Sequence, residues 1–152
     1  MPNPPSPEAM QIVDALMHVV RTLPGTRADR VGLLGHSRGG GAALNYILKF
    51  DNVQAVVLNS SGYPPKMTEV VSQINVPILM LHGTADSPED GGSPLTNVQM
   101  AHEFEAKMKA AGKPVEAVYY EGGRHNGIFT DATQYRDELQ RIRSFFLKYL
   151  SN

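Results

Sequence analysis

Hydrophobic residues along this chain fall into short continuous runs separated by longer stretches with helical spacing. Four runs are apolar on nearly every residue, as strands buried on both faces are, and they cover residues 30–35, 53–58, 76–81 and 115–120. Pro77 stands near the start of the third run, where a missing backbone N–H is tolerated. Strands that alternate with helices predict a parallel sheet with helices on both faces, which is an α/β fold.

The first helix is predicted to run from Pro7 to about Thr22. Ser6-Pro7-Glu8 supplies an N-cap, a proline at the first helical position and an acid in the first turn. Two apolar stripes run along this helix, so it needs cover on more than one side. The stripes are Met10, Val13, Met17 and Val20, and Ile12, Leu16 and Val19.

Three further helices are predicted between and after the strands. One follows the glycines after Ser37, a second begins at Ser93-Pro94 and runs to about Ala111, and the last spans roughly residues 133–150. The inward stripe expected of the last helix is Tyr135, Leu139, Ile142, Phe146 and Tyr149. No internal repeat or boundary interrupts the pattern, so residues 1–152 are expected to form a single domain.

Composition narrows the classes of function. The 152 residues are 41% hydrophobic and 19% charged, with a formal net charge of −1, and no cluster of Lys and Arg predicts a nucleic-acid partner. The chain has no Cys, and no group of His or carboxylates has metal-ligand spacing, so neither a metal nor a cofactor is expected. The N-terminus lacks signal-peptide features and no apolar run approaches about 18 residues, which favours a cytoplasmic protein without membrane contact.

Gly35-His36-Ser37-Arg38-Gly39 carries the clearest chemistry, because it lies between a predicted strand and a predicted helix. A serine hydroxyl is an effective nucleophile only when it is exposed and next to a base. A tight strand-to-helix turn exposes it, and flanking glycines remove Cβ atoms that would clash. The helix N-terminus would place the backbone N–H of Arg38 where an oxyanion forms. The alternative is a glycine-rich turn with an incidental serine.

A base and an acid are expected on loops after the later strands, because parallel strands end at one edge of the sheet. The third strand is followed by His82-Gly-Thr-Ala-Asp86, and the fourth by the histidine loop, residues 121–126, which contains His125. Asp86 could hold the imidazole of His125 in one tautomer and stabilise its protonated form. Glu89 and Asp90 are alternative acids, although each also fits a solvated loop charge.

The other histidines fit structural roles. His36 is expected to pack or to make a hydrogen bond beside the nucleophile, and His82 to be buried and hydrogen-bonded. His18 and His102 are expected on the surfaces of helices.

Three motifs of the chain resemble those of α/β-hydrolases, in particular the dienelactone-hydrolase and prolyl-oligopeptidase-like esterases. They are the segment around Ser37, the segment His82-Gly-Thr-Ala-Asp86 and the histidine loop. The likeness covers nearly the whole chain and includes the order nucleophile, acid, histidine. It implies that Ser37, Asp86 and His125 form a catalytic triad, with the backbone N–H of Arg38 as half of the oxyanion hole. The implied fold is a truncated α/β-hydrolase fold of about four parallel strands, without the strands that precede the nucleophile in the family.

Two expectations follow from those missing strands. Residues 31–34 would form an unpaired apolar edge, so we expect a homodimer whose interface covers the region around residues 9–35, with antiparallel pairing across a two-fold axis. The loop that supplies the second oxyanion donor would also be absent, which costs roughly 10²–10³ in turnover unless another group replaces it. Asn59, Ser60 or Ser61 could do so, although loop hydrogen bonding is the simpler role.

The favoured function is therefore a carboxylesterase-type serine hydrolase that acts on small-molecule esters. Small or short acyl chains are expected because few residues remain to build a deep pocket. A peptidase is disfavoured because an amide leaving group demands stronger oxyanion stabilisation. The alternative is a truncated hydrolase fragment of weak activity that self-associates and acts as a binding module.

Overall fold

The computed structural model describes residues 6–151, whose strands form a sheet in the order β1-β2-β3-β4 with every neighbouring pair parallel. The strands are Gly32–His36 (β1), Ala55–Asn59 (β2), Ile78–Gly83 (β3) and Val115–Tyr120 (β4). Each overlaps a predicted apolar run, but β1 to β3 begin two residues after the start of the run and extend one or two residues beyond its end. Val31 and Val53 are buried ahead of their ladders, so core packing begins before strand pairing does.

Six α-helices occur among the described residues, and three short 3₁₀ turns lie between the third and the fourth of them. They are Pro7–Thr22 (α1), Arg38–Lys49 (α2), Pro65–Glu69 (α3), Val98–Ala110 (α4), Gly127–Thr130 (α5) and Ala132–Leu150 (α6). α1 begins and ends where the sequence predicts, and the N–H of Ala9 donates to Ser6 Oγ at 3.2 Å. None of these helices combines the length and the apolar composition that a bilayer crossing requires.

α4 begins later than the sequence predicts. The Oγ of Ser93 accepts from the N–H of Leu95 at 3.1 Å and caps only the 3₁₀ turn Pro94–Thr96. Asn97 is the N-cap of α4, since its Oδ1 accepts from the N–H of Gln99 at 3.0 Å. The intervening turn brings Thr96 to the loop after β3, where its side chain and carbonyl are both bonded.

The sheet separates two hydrophobic cores, because successive side chains of a strand point to opposite faces. The larger core lies against α1, α2, α3 and α4 and includes the fully buried Leu44, Met80 and Phe104. The smaller core lies against α6 and includes Leu81 and Phe145. The predicted parallel sheet with helices on both faces is confirmed.

The inward stripe predicted for α6 is wrong in the first half of the helix. Three of its members are buried or half-buried: Ile142, Phe146 and Tyr149. The other two, Tyr135 and Leu139, are 46% and 44% exposed. The buried positions there are Gln134 and Glu138, because that half of α6 lies against the end of β2, where Asn59 donates to Glu138.

Candidate active site

Ser37 lies in the sharp turn between β1 and α2, residues 35–39, which we call the nucleophile turn. Its φ of 54° and ψ of −118° are a backbone conformation that non-glycine residues rarely adopt. The N–H of Ser37 donates to the carbonyl of Asn59 at 2.9 Å, and its carbonyl accepts from the N–H of Gly40 at 3.0 Å. A Cβ on Gly35 would lie 2.4 Å from the carbonyl oxygen of Gly39, so the turn is too tight for a side chain there.

The other glycines of this segment differ in what they permit. A Cβ on Gly39 would meet no neighbouring heavy atom within 4 Å, so the predicted relief of a clash applies to Gly35 and not to Gly39. A Cβ on Gly40 would lie 2.4 Å from Ser61 Oγ. Gly40 therefore allows α2 to pack closely on the segment after β2.

The side chains of Ser37, His125 and Asp86 form one continuous hydrogen-bonded chain. His125 Nδ1 is 2.8 Å from Asp86 Oδ2, and His125 Nε2 is 2.9 Å from Ser37 Oγ. A carboxylate can only accept, so Nδ1 carries the proton and Nε2 is left to accept from the serine hydroxyl. This arrangement has the geometry by which a base activates a serine nucleophile.

Asp86 is fully buried after β3 and receives further hydrogen bonds. Thr96 Oγ1 donates to Oδ1 at 3.2 Å, and His82 Nε2 is 3.2 Å from Oδ2. Burial raises the pKa of Asp86, but the hydrogen bonds and charges of His82 and His125 outweigh burial, so the pKa is lowered overall. His82 is buried and bonded to the carbonyl of Thr96 at 2.8 Å, as predicted.

The alternative acids do not reach His125. Glu89 and Asp90 are exposed, and Ser87 Oγ donates to Asp90 Oδ2 at 2.8 Å within their own turn. His18 and His102 are exposed on α1 and α4, as the sequence predicts.

A group of polar side chains, which we call the Glu138 network, joins the half-buried His36 of the nucleophile turn to the buried Asn59, Glu138 and Gln134. His36 Nδ1 is 2.5 Å from Asn59 Oδ1, Asn59 Nδ2 donates to Glu138 Oε2 at 2.6 Å, and Gln134 Nε2 donates to Glu138 Oε1 at 2.7 Å. The hydrogen bond expected of His36 is confirmed. Sequence reasoning missed Gln134 and Glu138, whose only signal is a four-residue spacing in register with the buried Ile142.

The candidate oxyanion donors occupy different environments. Arg38 is the first residue of α2, which places its backbone N–H at the positive end of the helix dipole. Asn59, Ser60 and Ser61 are almost completely buried, and none of them lines the cleft beside Ser37. Asn59 is instead bonded within the Glu138 network, so these side chains are not placed as the second donor.

A cleft of about 790 Å³ opens beside Ser37 and His125. Its apolar wall includes Leu48, Met67, Val70, Leu95 and Met100. The charged side chains of the lining are Arg38 and Lys66. The cleft is larger than the chain length suggests, because α3 and α4 contribute its far wall. No group of three or more His, Asp or Glu residues within 6–151 is arranged to hold a metal ion.

Comparison with known proteins extends the resemblance inferred from the motifs. A family model described as the dienelactone hydrolase family matches residues 3–149. α/β hydrolase domain-containing protein 17B from Xenopus laevis is 28% identical over 157 residues, a match that covers 92% of this chain and 49% of that protein. The chain spans about half the length of the curated relatives it matches.

Solved structures share the architecture at low sequence identity. A dienelactone hydrolase from Anabaena variabilis superposes with a TM-score of 0.70 and 21% identity, covering 93% of this chain and 59% of that one. A puromycin-hydrolysing peptidase from Mycobacterium tuberculosis gives a TM-score of 0.79 and 14% identity, covering 93% and 25%. At such identities the likeness establishes the fold alone.

Proposed function

The chain belongs to the dienelactone hydrolase family of α/β-hydrolases, and we propose that it is a serine hydrolase that cleaves carboxylic esters through an acyl-enzyme. The resemblance drawn from the sequence motifs is thereby confirmed. The observation that carries the proposal is the hydrogen-bonded chain from Asp86 through both ring nitrogens of His125 to Ser37 Oγ. These hydrogen-bonded side chains end at the cleft, so the Ser37 hydroxyl can contact a bound ester.

In the proposed reaction His125 removes the proton of Ser37 while Oγ attacks the carbonyl carbon of the ester. The negative charge that develops on the carbonyl oxygen faces the backbone N–H of Arg38 at the N-terminus of α2. His125 then returns its proton to the departing alcohol, which leaves an acyl group on Ser37. Water activated by the same imidazole hydrolyses the acyl-enzyme, and Asp86 stabilises the imidazolium in both steps.

The sequence favours esters with short acyl chains as substrates. The cleft also has room for longer acyl groups, because its volume is about 790 Å³ and its wall is apolar. An ester is preferred to an amide because amide cleavage demands more oxyanion stabilisation, and the donor assigned here is the N–H of Arg38 alone. We therefore propose ester hydrolysis and let a chain-length series define the acyl preference.

Covalent labelling tests the nucleophile directly. A fluorophosphonate probe should label Ser37, with no labelling in Ser37→Ala and strongly reduced labelling in His125→Ala. Hydrolysis of p-nitrophenyl acetate, butyrate and octanoate then measures the acyl preference, with Ser37→Ala as the blank. A folded wild-type protein that neither reacts with the probe nor hydrolyses any of these esters would contradict the proposal.

A second candidate is a weakly active fragment that self-associates as a binding module. The observation that favours it is the set of exposed apolar side chains on α1, where Leu16 and Val19 are 57% and 52% exposed. This candidate predicts association without probe labelling, whereas the hydrolase proposal predicts labelling whatever the association state. The two measurements together therefore separate the candidates.

A further inference from the structure

Glu138 is a fully buried carboxylate that has no part in the chain from Asp86 to Ser37. Burying a carboxylate is costly unless its oxygens are hydrogen-bonded. Each oxygen here accepts from one amide, Oε2 from Asn59 Nδ2 at 2.6 Å and Oε1 from Gln134 Nε2 at 2.7 Å. The two amides lead in different directions, towards the nucleophile turn and towards the histidine loop.

The branch through Asn59 determines where His36 carries its proton. Because Asn59 directs its amide nitrogen to Glu138, its Oδ1 faces His36 Nδ1 at 2.5 Å. A carbonyl oxygen only accepts, so His36 must donate from Nδ1. In the neutral ring Nε2 is then unprotonated. The carboxylate on α6 thus selects the tautomer of a histidine that is two hydrogen bonds away.

His36 lies next to both reacting groups, so the tautomer of its ring affects the contacts around them. It precedes Ser37 in the chain, and its ring centroid is 5.1 Å from that of His125. Its Nε2 is 3.3 Å from Oδ1 of Asn126, the residue that follows His125. An unprotonated Nε2 accepts from Asn126 when the terminal amide turns its Nδ2 towards the ring. The ring therefore bridges the nucleophile turn and the histidine loop.

The branch through Gln134 packs against the histidine loop and the residue that follows it. A Cβ on Gly127 would lie 2.3 Å from Gln134 Oε1, and a Cβ on Gly123 would lie 3.0 Å from the same oxygen. The amide that Glu138 holds therefore packs against the backbone on either side of His125. Glu138 is the one group in this network that contacts both branches.

We propose that Glu138 is a positioning residue for the proposed ester hydrolysis: its two oxygens fix Asn59 and Gln134, and through them the Nδ1–H form of His36 and the loop that brings His125 to Ser37. The inference rests on the proposed function. Glu138 acts through other residues, since it is fully buried and does not line the cleft.

Glu138→Leu tests this role in kinetics because it removes both acceptors while keeping a buried side chain. We expect kcat for p-nitrophenyl acetate to fall at least about tenfold with KM nearly unchanged, because small displacements of catalytic groups slow turnover strongly. Glu138→Gln can still accept from Asn59 and should retain most of the wild-type kcat. Tyr46→Phe is the matched control, since it removes a buried hydroxyl that bonds Asn52 at 3.1 Å, away from the cleft.

Tyr46→Phe should lower the melting temperature without lowering kcat. A purely structural Glu138 would behave in the same way. If folded Glu138→Leu loses stability but keeps kcat within about twofold of wild type, the inference is overturned.

The tautomer of His36 gives a second readout that does not depend on turnover. Long-range ¹H–¹⁵N spectra at pH 8 should show a proton on His36 Nδ1 in the wild type and in Glu138→Gln, and loss of that preference in Glu138→Leu. A wild-type His36 protonated only on Nε2 overturns the inference, even if Glu138→Leu fails to fold. Absence of hydrolysis and probe labelling in the wild type would instead refute the proposed function, while the spectra still test the network.

Discussion

Ser37 holds a backbone conformation that costs about 1–3 kcal/mol for a residue other than glycine. Hydrogen bonds on both sides offset this cost, because Ser37 donates its N–H to the carbonyl of Asn59 and accepts at its own carbonyl from Gly40. The strain turns the side chain out of the β1 ladder, so that Oγ meets Nε2 of His125 at 2.9 Å. At the scale of single residues, the proposed chemistry depends on this enforced turn and on the orientation of one imidazole.

Asp86→Asn should reduce kcat for ester hydrolysis by about 10⁴-fold, because an amide can donate to Nδ1 and then favours the wrong tautomer of His125. We expect KM to change little, since Asp86 is buried behind His125 and does not line the cleft. Steady-state kinetics with p-nitrophenyl acetate measure both constants. Asp90→Asn is the control, because Asp90 is exposed and bonds Ser87 rather than His125. Equal losses in both variants would show that Asp86 is not the specific partner of the base.

The two buried carboxylates should affect stability with opposite dependence on pH. Burial raises the pKa of Glu138 above its ordinary 4.5, so the folded state holds that proton more tightly, and stability from this group falls as pH rises through the raised pKa. Glu138→Gln should therefore gain stability relative to wild type as pH increases from about 4.5. Urea unfolding between pH 4 and pH 7 measures the difference, and a constant difference across that range would contradict the prediction.

The contribution of Asp86 to stability changes with pH in the opposite direction. Its pKa is lowered in the folded protein, so its stabilising effect is complete above the pKa of the unfolded chain and is lost as pH falls through the folded value. The stability difference between Asp86→Asn and wild type should therefore stay nearly constant between pH 4 and pH 7, and should shrink when the urea series is extended below pH 3.8, the ordinary pKa of Asp.

At the scale of elements, the sequence predicted what depends on local signals. The start of α1 was predictable because an N-cap, a proline and apolar spacing agree at Ser6-Pro7. The loops that bring Asp86 and His125 together were predictable because parallel strands end at one edge. The start of α4 was not, since Ser93-Pro94 caps a three-residue turn and Asn97 then caps the helix.

The buried face of α6 required information that no local pattern contains. Apolar spacing placed Tyr135 and Leu139 inside, whereas Gln134 and Glu138 are the buried positions. Glu138 is buried because it meets Asn59, which lies 79 positions away in the chain. A long-range polar contact of this kind leaves no periodic signal, so the Glu138 network was beyond sequence reasoning.

The tightness of the nucleophile turn can be tested by a pair of identical substitutions four residues apart. Gly35→Ala places a Cβ 2.4 Å from the carbonyl oxygen of Gly39 and 2.5 Å from the N of Gly40, backbone atoms that cannot rotate away. We expect a loss of about 1–3 kcal/mol in the free energy of unfolding, as for other overpacked sites. Gly39→Ala adds its methyl to open space in a helix and should stabilise by up to about 1 kcal/mol. Urea denaturation measures both, and equal losses would show that crowding does not distinguish the positions.

At the scale of the whole molecule, one edge of the sheet exposes apolar side chains on both faces. On one face, α1 packs Met10 and Met17 inward and leaves its second stripe in solvent. The exposed residues of α1 and its end are Ile12, Leu16, Val19, Val20 and Leu23. On the other face, Leu34 of β1 is 52% exposed beside Val57, its partner on β2. β1 is the terminal strand of the order β1-β2-β3-β4, so its outer edge is unpaired among the described residues.

We propose that a second copy of this chain covers that edge, in a homodimer formed around residues 9–35. A two-fold axis would set β1 against its own copy in antiparallel pairing, and the net charge of −1 offers little repulsion between copies. Leu34→Lys should raise the dimer dissociation constant at least about tenfold, because it places charge at the proposed contact. Leu147→Lys is the matched control, since Leu147 is 51% exposed on α6 and lies outside residues 9–35. Sedimentation velocity at micromolar concentration measures both variants. A monomeric wild type, or equal effects of the two substitutions, would rule out this interface.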